Sequence, residues 1–537
     1  MGRDTGRLLA VTAAALILFS YGLGTGTLWD RDEALYTGIA RQIMEGGDPF
    51  TMQVHGRPWF VHPPLFMWLQ ALTGRLVGLT EFTARLWSAI SAAAVVAVTF
   101  LLARLLYDSR TALVASAVLA TTIQFLGQAR LAVFDPTLVA FMLAAFYMYM
   151  VAYTTGARRA HFWAWAWAGW ATATKGPIGL ILPALVVAAL WTVRREWWRW
   201  REIPLAGPAI FAVIGLPWYV IETVRYGGDF LRTAVATYML SRFFGVVENQ
   251  PGPWWYYLPV VLAGAFPWTG YLPPAIVYHA RRRNELPSQV ILLWVGITLA
   301  FYSAAGTKLP NYILPMYPVL AIGIARLAVD AIERRSIDAP RLMRWPIGLL
   351  VGGAAIFVGV GVAFGRVEYP AQLIALRAAL AIVLGMFLAG TLVALAAHLL
   401  GRSGIAMVAL MVSVVAAVPV LVHHTLPAIE AQRPLPRIAR ALGGVMRPGD
   451  ALAGVQIGIE ALIYYARHPV HWIGRPDQLD RALCVHDRIF LIVPEGPYSQ
   501  WVRRALPSGV RQLHEDAGHR VLFKEGPTRC PGGWHVE

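Results

Sequence analysis

The chain has 537 residues, 57% of them hydrophobic and only 14% charged. A water-soluble fold carries about 25% charge, so most of this chain has no water to face, and disorder, collagen, coiled coil and small disulfide scaffolds are excluded. The formal net charge of +16 is spread as short basic clusters between apolar runs, which reads as a polytopic membrane protein rather than a nucleic-acid surface.

A helix needs about 20 apolar residues to cross the hydrocarbon core. Scanning gives roughly thirteen candidate spans, near 8–24, 84–106, 111–126, 136–153, 161–173, 177–192, 205–221, 254–279, 288–304, 311–329, 345–364, 373–399 and 404–422. The first is not expected to be a cleaved signal peptide, because its apolar run is long and no small-x-small site follows it. Basic clusters fall in every second connection: Arg3 and Arg7, Arg104 and Arg110, Arg158 and Arg159, Arg194 to Arg201, Arg281 to Arg283, Arg334 to Arg344, and Arg402. The positive-inside rule then places the N-terminus in the cytoplasm. An odd number of spans places residues 423–537 outside, where alternating runs such as Ile489 to Val493 predict a small α/β domain. The expected division is thus 1–422 in the membrane and 423–537 as a soluble extracytoplasmic domain. Cys484 and Cys530, the only cysteines, could pair there.

With sidedness set, the outer loops can be read together. Loop 25–83 contains Trp29-Asp30-Arg31-Asp32-Glu33-Ala34-Leu35-Tyr36 and later His62-Pro63-Pro64-Leu65. A stripe of Leu35, Ile39, Ile43 and Met44, and the apolar segment 63–77, predict two helices lying in the interface. Asp32 and Glu33 open the first of them, and also read as an N-terminal charge pair favoured by the helix dipole. Asp135-Pro136 stands at the mouth of a span, where Asp135 also reads as an N-cap. Thr174-Lys175-Gly176-Pro177 reads as a break between two short spans. Three lysines occur in the chain, and two of them, Lys175 and Lys308, lie in short outer loops. A compact ammonium there suits a phosphate held at the membrane surface, and two snorkelling interfacial lysines are the bland reading. The fourth outer loop brings Arg242 and Glu248 before the aromatic run Trp254 to Tyr257. His55 and His62 could suggest a metal with Asp32, but no metal-ligand spacing is matched; no cofactor is firmly implied, and a divalent metal stays open. Acids and bases thus collect at one face while the span interiors are nearly free of charge, unlike an ion-coupled transporter.

At these loops the sequence resembles lipid-linked-sugar glycosyltransferases of the C-type fold, nearest the branch of bacterial lipid A aminoarabinose transferases and protein O-mannosyltransferases. The landmarks run in order: Asp32-Glu33-Ala34-Leu35-Tyr36, His62-Pro63-Pro64-Leu65, Phe134-Asp135-Pro136, Thr174-Lys175-Gly176-Pro177, Trp255-Tyr256-Tyr257-Leu258-Pro259, and Lys308 to Pro315. The chain carries Val61-His62 and Glu248-Asn249-Gln250-Pro251-Gly252-Pro253 where that branch typically has an acidic residue with Lys and a His with Arg. The lipid A acceptor and the zinc ligation suggested for it are therefore not carried over. The resemblance implies a polyprenyl-phosphate sugar as donor, and an acceptor hydroxyl on a lipid, glycan or protein at the outer face of a bacterial-type plasma membrane. On that reading Asp32 is the expected base, with Glu33 orienting or binding sugar. Lys308, Arg242, Tyr312 and a protonated His62 would stabilise the departing phosphate, Lys175 would bind it or lock its loop, and Tyr36, Asp135 and Glu248 complete the expected binding set. A non-catalytic flippase or exporter of lipid-linked sugars is the alternative.

Overall fold

The computed structural model describes residues 2–526 except 248, 367–372 and 508. Every apolar run predicted to cross the membrane is helical or a bent pair of helices, but the count by length and composition is smaller than thirteen. Among the described residues seven helices are long and apolar enough to span, or ten if the bent pairs at 109–129, 206–226 and 257–281 are single spans. The remaining three runs are the helices Gly2–Ser20, Arg158–Lys175 and Ile178–Arg194. They fall short for physical reasons: charges at Arg3, Asp4 and Arg7 in the first, Arg158, Arg159 and Lys175 in the second, and a length of 17 residues in the third.

Burial separates a protein-facing bundle from a lipid-facing flank. The segment Pro310–Ile332 has 89% of its apolar window buried, whereas Asp338–Ala363 has 17% and Ile374–Leu399 has 22%. A helix that is apolar all round and packed by neighbours is a core helix, and one left bare needs hydrocarbon to cover it. The central segment carries Asn311 and Tyr312 at its N-terminal end.

Two helices of the segment 25–83, Asp32–Met44 and Leu65–Val77, have 13 residues each, too few to span a bilayer. Their apolar stripes meet: Ile39 and Ile43 of one and Phe66, Met67 and Ala71 of the other share one buried cluster. The following span, Glu81–Leu106, starts with a reciprocal cap in which Thr80 Oγ1 accepts from Thr83 N at 3.2 Å and Thr83 Oγ1 accepts from Thr80 N at 2.8 Å. Such a cap satisfies two of the donors that a helix start leaves open. Gly176, at φ 100, ends the helix Arg158–Lys175 in a backbone conformation that a side chain would resist. The chain turns there, leaving Lys175 at the helix end.

Beyond the last span, a five-stranded sheet runs in the spatial order Val470–Ile473, Ala451–Val455, Arg488–Pro494, His519–Glu525, Arg511–Asp516. Its first three strands are parallel and the other two join antiparallel. The run Ile489 to Val493 is buried on both faces, which is why it reads as continuous apolar sequence. Cys484 is disulfide-bonded; Cys530 lies outside the described residues.

Candidate active site

Asp32 and Glu33 are consecutive on one helix and therefore point about 100° apart. Glu33 turns inward and is 2% exposed. It accepts from Trp29 N at 2.8 Å, Ala132 N at 2.7 Å, and Arg85 Nε and Nη2 at 2.8 and 3.0 Å. Arg85 Nη1 also donates to the carbonyls of Leu23, Thr25 and Gly26. This buried fork therefore fastens the segments around 23–33 and 132 to the N-terminal end of the helix Glu81–Leu106. Asp32 is exposed instead, and its Oδ1 accepts from Tyr36 Oη at 3.3 Å.

From Asp32 an unbroken chain of contacts leads to two cations. The Tyr36 ring lies 4.9 Å from that of Phe134, and His62 packs 4.6 Å from the same ring. Next to Phe134, Asp135 Oδ1 receives Lys175 Nζ at 2.5 Å and its Oδ2 receives Asn311 Nδ2 at 2.9 Å. The Lys175 ammonium lies 5.0 Å from the Phe134 ring centre and 5.2 Å from that of Tyr312. Arg242 Nη1 donates to Tyr312 Oη at 3.3 Å. Six separated stretches of sequence thus converge on one cluster.

The electrostatics follow from burial and these charges. Burial, reinforced by Asp32 and Asp135, pushes the Tyr36 phenol well above its ordinary range, so it stays a donor. Burial and the nearby Lys175 and Arg242 hold the His62 imidazole well below its ordinary value. His62 is therefore neutral at pH 7, which corrects the expectation of a protonated His62 facing the leaving group.

Lys175, His62, Arg242, Tyr238 and Tyr312 line one end of a cavity of about 490 Å³, whose flank is Ile178, Ile181, Val235, Leu240, Phe243, Phe244 and Phe301. Charge at one end and a greasy flank on the other suit an amphiphile with an anionic head.

The family profile described as dolichyl-phosphate-mannose-protein mannosyltransferase matches residues 61–221. An undecaprenyl phosphate-alpha-4-amino-4-deoxy-L-arabinose arabinosyl transferase of Pseudomonas paraeruginosa is 30% identical over 370 residues, which is 66% of this chain and 66% of that protein. A relative of the same description in Proteus mirabilis is 27% identical over 347 residues, covering 64% of this chain and 62% of its own length. The crystal structure of ArnT from Cupriavidus metallidurans bound to undecaprenyl phosphate superimposes with a TM-score of 0.80 at 24% identity, over 98% of this chain and 100% of that one. The chain has the C-type glycosyltransferase fold. The curated relatives are matched over just under two thirds of their length, whereas the fold is shared from end to end.

Within that fold the expected site residues divide. Asp32, Tyr36, His62, Asp135, Lys175, Arg242 and Tyr312 come together as described; Glu248 lies outside the described residues. Two further expectations are corrected. Glu33 has its lone pairs taken by Arg85 and two backbone donors, so it holds the loop rather than a sugar. Lys308 is 4% exposed, and its Nζ donates to the carbonyls of Tyr302, Ser303 and Ala305 at 2.9, 2.6 and 2.5 Å. All three N–H groups of an ammonium are thereby used on carbonyls at the C-terminal end of the helix Leu286–Ala304, where a cation also meets the negative end of the dipole. Burial holds this amine below its ordinary value. His55 bonds Glu460 at 3.1 Å, while His62 packs between Trp59 and Phe134, so the two imidazoles do not share a partner. Among the described residues no group of three or more His, Cys, Asp or Glu is placed to hold a metal. Asn311 and Tyr238 were not anticipated; an amide inside Leu309-Pro310-Asn311-Tyr312 was the available signal, and Tyr238 carried none.

Proposed function

We propose that the protein moves a sugar from a polyprenyl-phosphate donor to a hydroxyl of a lipid, glycan or protein acceptor on the extracytoplasmic side of a bacterial plasma membrane. The observation that carries this reading is the cavity with Lys175 and Arg242 at one end and an isoprenoid-compatible apolar flank. The lipid phosphate lies against Lys175 and Arg242, with Tyr312 and Tyr238 beside it, and the prenyl chain leaves along Ile178, Ile181 and Phe301. Asp32 takes the proton of the acceptor hydroxyl as its oxygen bonds to the anomeric carbon. The bond from that carbon to the phosphate oxygen breaks, and its electron pair goes to the phosphate. That oxygen gains charge, so fixed cations stabilise the transition state more than the ground state. Asp135 and Asn311 act through Lys175, holding its ammonium in place.

The thirteen-span layout, with the N-terminus in the cytoplasm and residues 423–537 as an outer soluble domain, belongs to this reading. It is supported by the alternation of arginine clusters and by the helical state of each predicted run. The flippase alternative is not favoured, since Arg130, one of the few charges near a span interior, is spent on the carbonyls of Leu18 and Phe19. The test is to give the purified chain in lipid nanodiscs an undecaprenyl-phosphate sugar labelled in the sugar, with native membranes as acceptor source. Release of undecaprenyl phosphate with the label on a new molecule supports the reading; movement of intact donor between leaflets without release overturns it.

A further inference from the structure

A second cavity, of about 270 Å³, lies among the helices Asp135–Thr155, Arg158–Lys175 and Ile178–Arg194. No residue lines both it and the cavity of Lys175 and Arg242. Different sides of the helix Ile178–Arg194 face the two: Ile178 and Ile181 flank the first, and Leu180, Pro183, Ala184 and Val187 the second. Asp135 and Lys175 stand together at one end of this group of helices. Tyr149 lies about 21 Å along its helix from Asp135, and His161 about 21 Å along its own from Lys175. Both line the second cavity, which therefore reaches toward the opposite end of the helices.

In this mainly apolar wall His161 and Tyr149 carry polar groups that the protein does not use. His161 is 6% exposed, and it makes no hydrogen bond to any described residue. Tyr149 Oη accepts from Trp191 Nε1 at 2.6 Å, which leaves its own proton without an acceptor among the described residues. Buried polar groups are hydrogen-bonded as a rule. A free imidazole and a free phenol proton at one end of an apolar crevice therefore call for a ligand that is mostly hydrocarbon and carries an acceptor.

One helical turn beyond these groups the chain is basic. Arg158 precedes His161 by three residues, and Arg195 follows Trp191 by four. Arg158, Arg159, Arg195 and Arg201 are exposed and have no acidic partner among the described residues. The nearby acids are taken: Glu196 meets Arg194 and Arg199 at 3.3 and 2.9 Å, and Glu202 meets Arg199 at 3.0 Å. Between these arginines stand Trp197, Trp198 and Trp200, each more than half exposed. Arginines without counter-charges beside exposed indoles suit a layer of anionic lipid headgroups. An apolar crevice between helices with such a basic rim suits one lipid of that layer.

We propose that the second cavity holds an acyl chain of an anionic diacyl phospholipid. An ester carbonyl of that lipid accepts from Tyr149 or His161, and its phosphate lies against Arg158 and Arg195, at the membrane face opposite the donor phosphate. The site is separate from the donor cavity and does not depend on the transferase reading. The test is native mass spectrometry of the full chain in detergent micelles holding equal amounts of dioleoyl phosphatidylglycerol and dioleoyl phosphatidylcholine. Once the micelle is stripped, the wild type should retain one phosphatidylglycerol, preferred over phosphatidylcholine on the order of tenfold. Ala164→Leu, which puts a branched side chain into the cavity, should lose retention. Arg158→Gln combined with Arg195→Gln, both at exposed positions, should lose the preference for the anionic lipid. Tyr149→Phe combined with His161→Phe keeps the aromatic packing, removes the polar groups, and should weaken retention. Equal retention of the two lipids by the wild type, or an undiminished preference in the arginine variant, overturns the proposal. Wild-type retention in Ala164→Leu overturns it as well, since the arginines would then attract lipid to the surface alone. Displacement of the retained lipid by added undecaprenyl phosphate would make the cavity part of the donor path and overturns it too.

Discussion

Lys175 and Asp135 lie 40 residues apart in sequence and form a 2.5 Å ion pair, with the side chain of Lys175 12% and that of Asp135 6% exposed. Asn311 takes the second carboxylate oxygen, which leaves the ammonium on one side of a fully used anion and facing the cavity. A buried pair of this kind is weak evidence for stability, because both ions give up hydration. Its geometry does fix where a positive charge stands. Lys175→Met should lower turnover on the order of a hundredfold or more, the range for one preorganised electrostatic contact. Asp135→Ala should instead destabilise the fold by about 3–5 kcal/mol, as expected when one partner of a buried pair is removed. Steady-state transfer and thermal unfolding of both variants check this; wild-type turnover in Lys175→Met would remove the lysine from the leaving-group site.

Asp32→Asn keeps the shape of the side chain and deletes its basicity. Transfer should vanish while undecaprenyl phosphate binding persists, since the Tyr36 contact survives with an amide oxygen as acceptor. Turnover within about threefold of wild type corresponds to less than 1 kcal/mol of barrier, and Asp32 would then not be the base.

Lys308 should behave as a structural residue. Lys308→Met keeps the stem and strands three carbonyls at the end of the helix Leu286–Ala304. The expected cost is about 1–3 kcal/mol per buried group left unsatisfied, partly relieved by relaxation and water. Turnover of the folded fraction should stay within about threefold of wild type, a change below 1 kcal/mol of barrier. A hundredfold fall with unchanged unfolding temperature would restore the phosphate role that its loop position suggests.

The positions of the helices and of the outer loops were legible because hydrophobic runs and arginine clusters are one-dimensional signals. Which of two neighbouring charges faces the chemistry is not one-dimensional. Asp32 and Glu33 look equivalent in the run Asp-Glu-Ala-Leu-Tyr, yet the helix leaves one exposed beside Tyr36 and turns the other to Arg85, 52 residues further on. Lys175 and Lys308 likewise share a short-loop setting. One ends its helix facing an aspartate, and the other folds back onto carbonyls three to six residues before it.

Glu33 and Arg85 provide the loop's fastening. Glu33→Gln leaves the Arg85 guanidinium buried without its counter-charge, and a loss of about 3–5 kcal/mol is expected. Hydrogen exchange should rise across residues 23–36 and 129–133, which the pair ties together. Equal protection in the variant would show that the loop is held by its apolar cluster alone.

Burial and the neighbouring Lys175 and Arg242 depress the His62 pKa below its unfolded value of 6.5. Between the two values the unfolded chain holds a proton that the folded chain refuses, so stability rises with pH across that window. The contribution is fully present above pH 6.5 and is lost as pH falls through the depressed folded pKa. His62→Gln removes the titration and keeps a polar side chain, so the variant should show a flatter fall in unfolding temperature between neutral and acid pH. A bound lipid phosphate partly offsets Lys175 and Arg242, which relieves the repulsion felt by a charged imidazole. Binding of undecaprenyl phosphate to the wild type should therefore take up protons below pH 6.5, measurable as a dependence of the binding heat on buffer ionisation enthalpy, and His62→Gln should abolish most of that uptake. An acid slope identical in wild type and variant, together with unchanged proton uptake, would place His62 outside the electrostatic reach of the donor site.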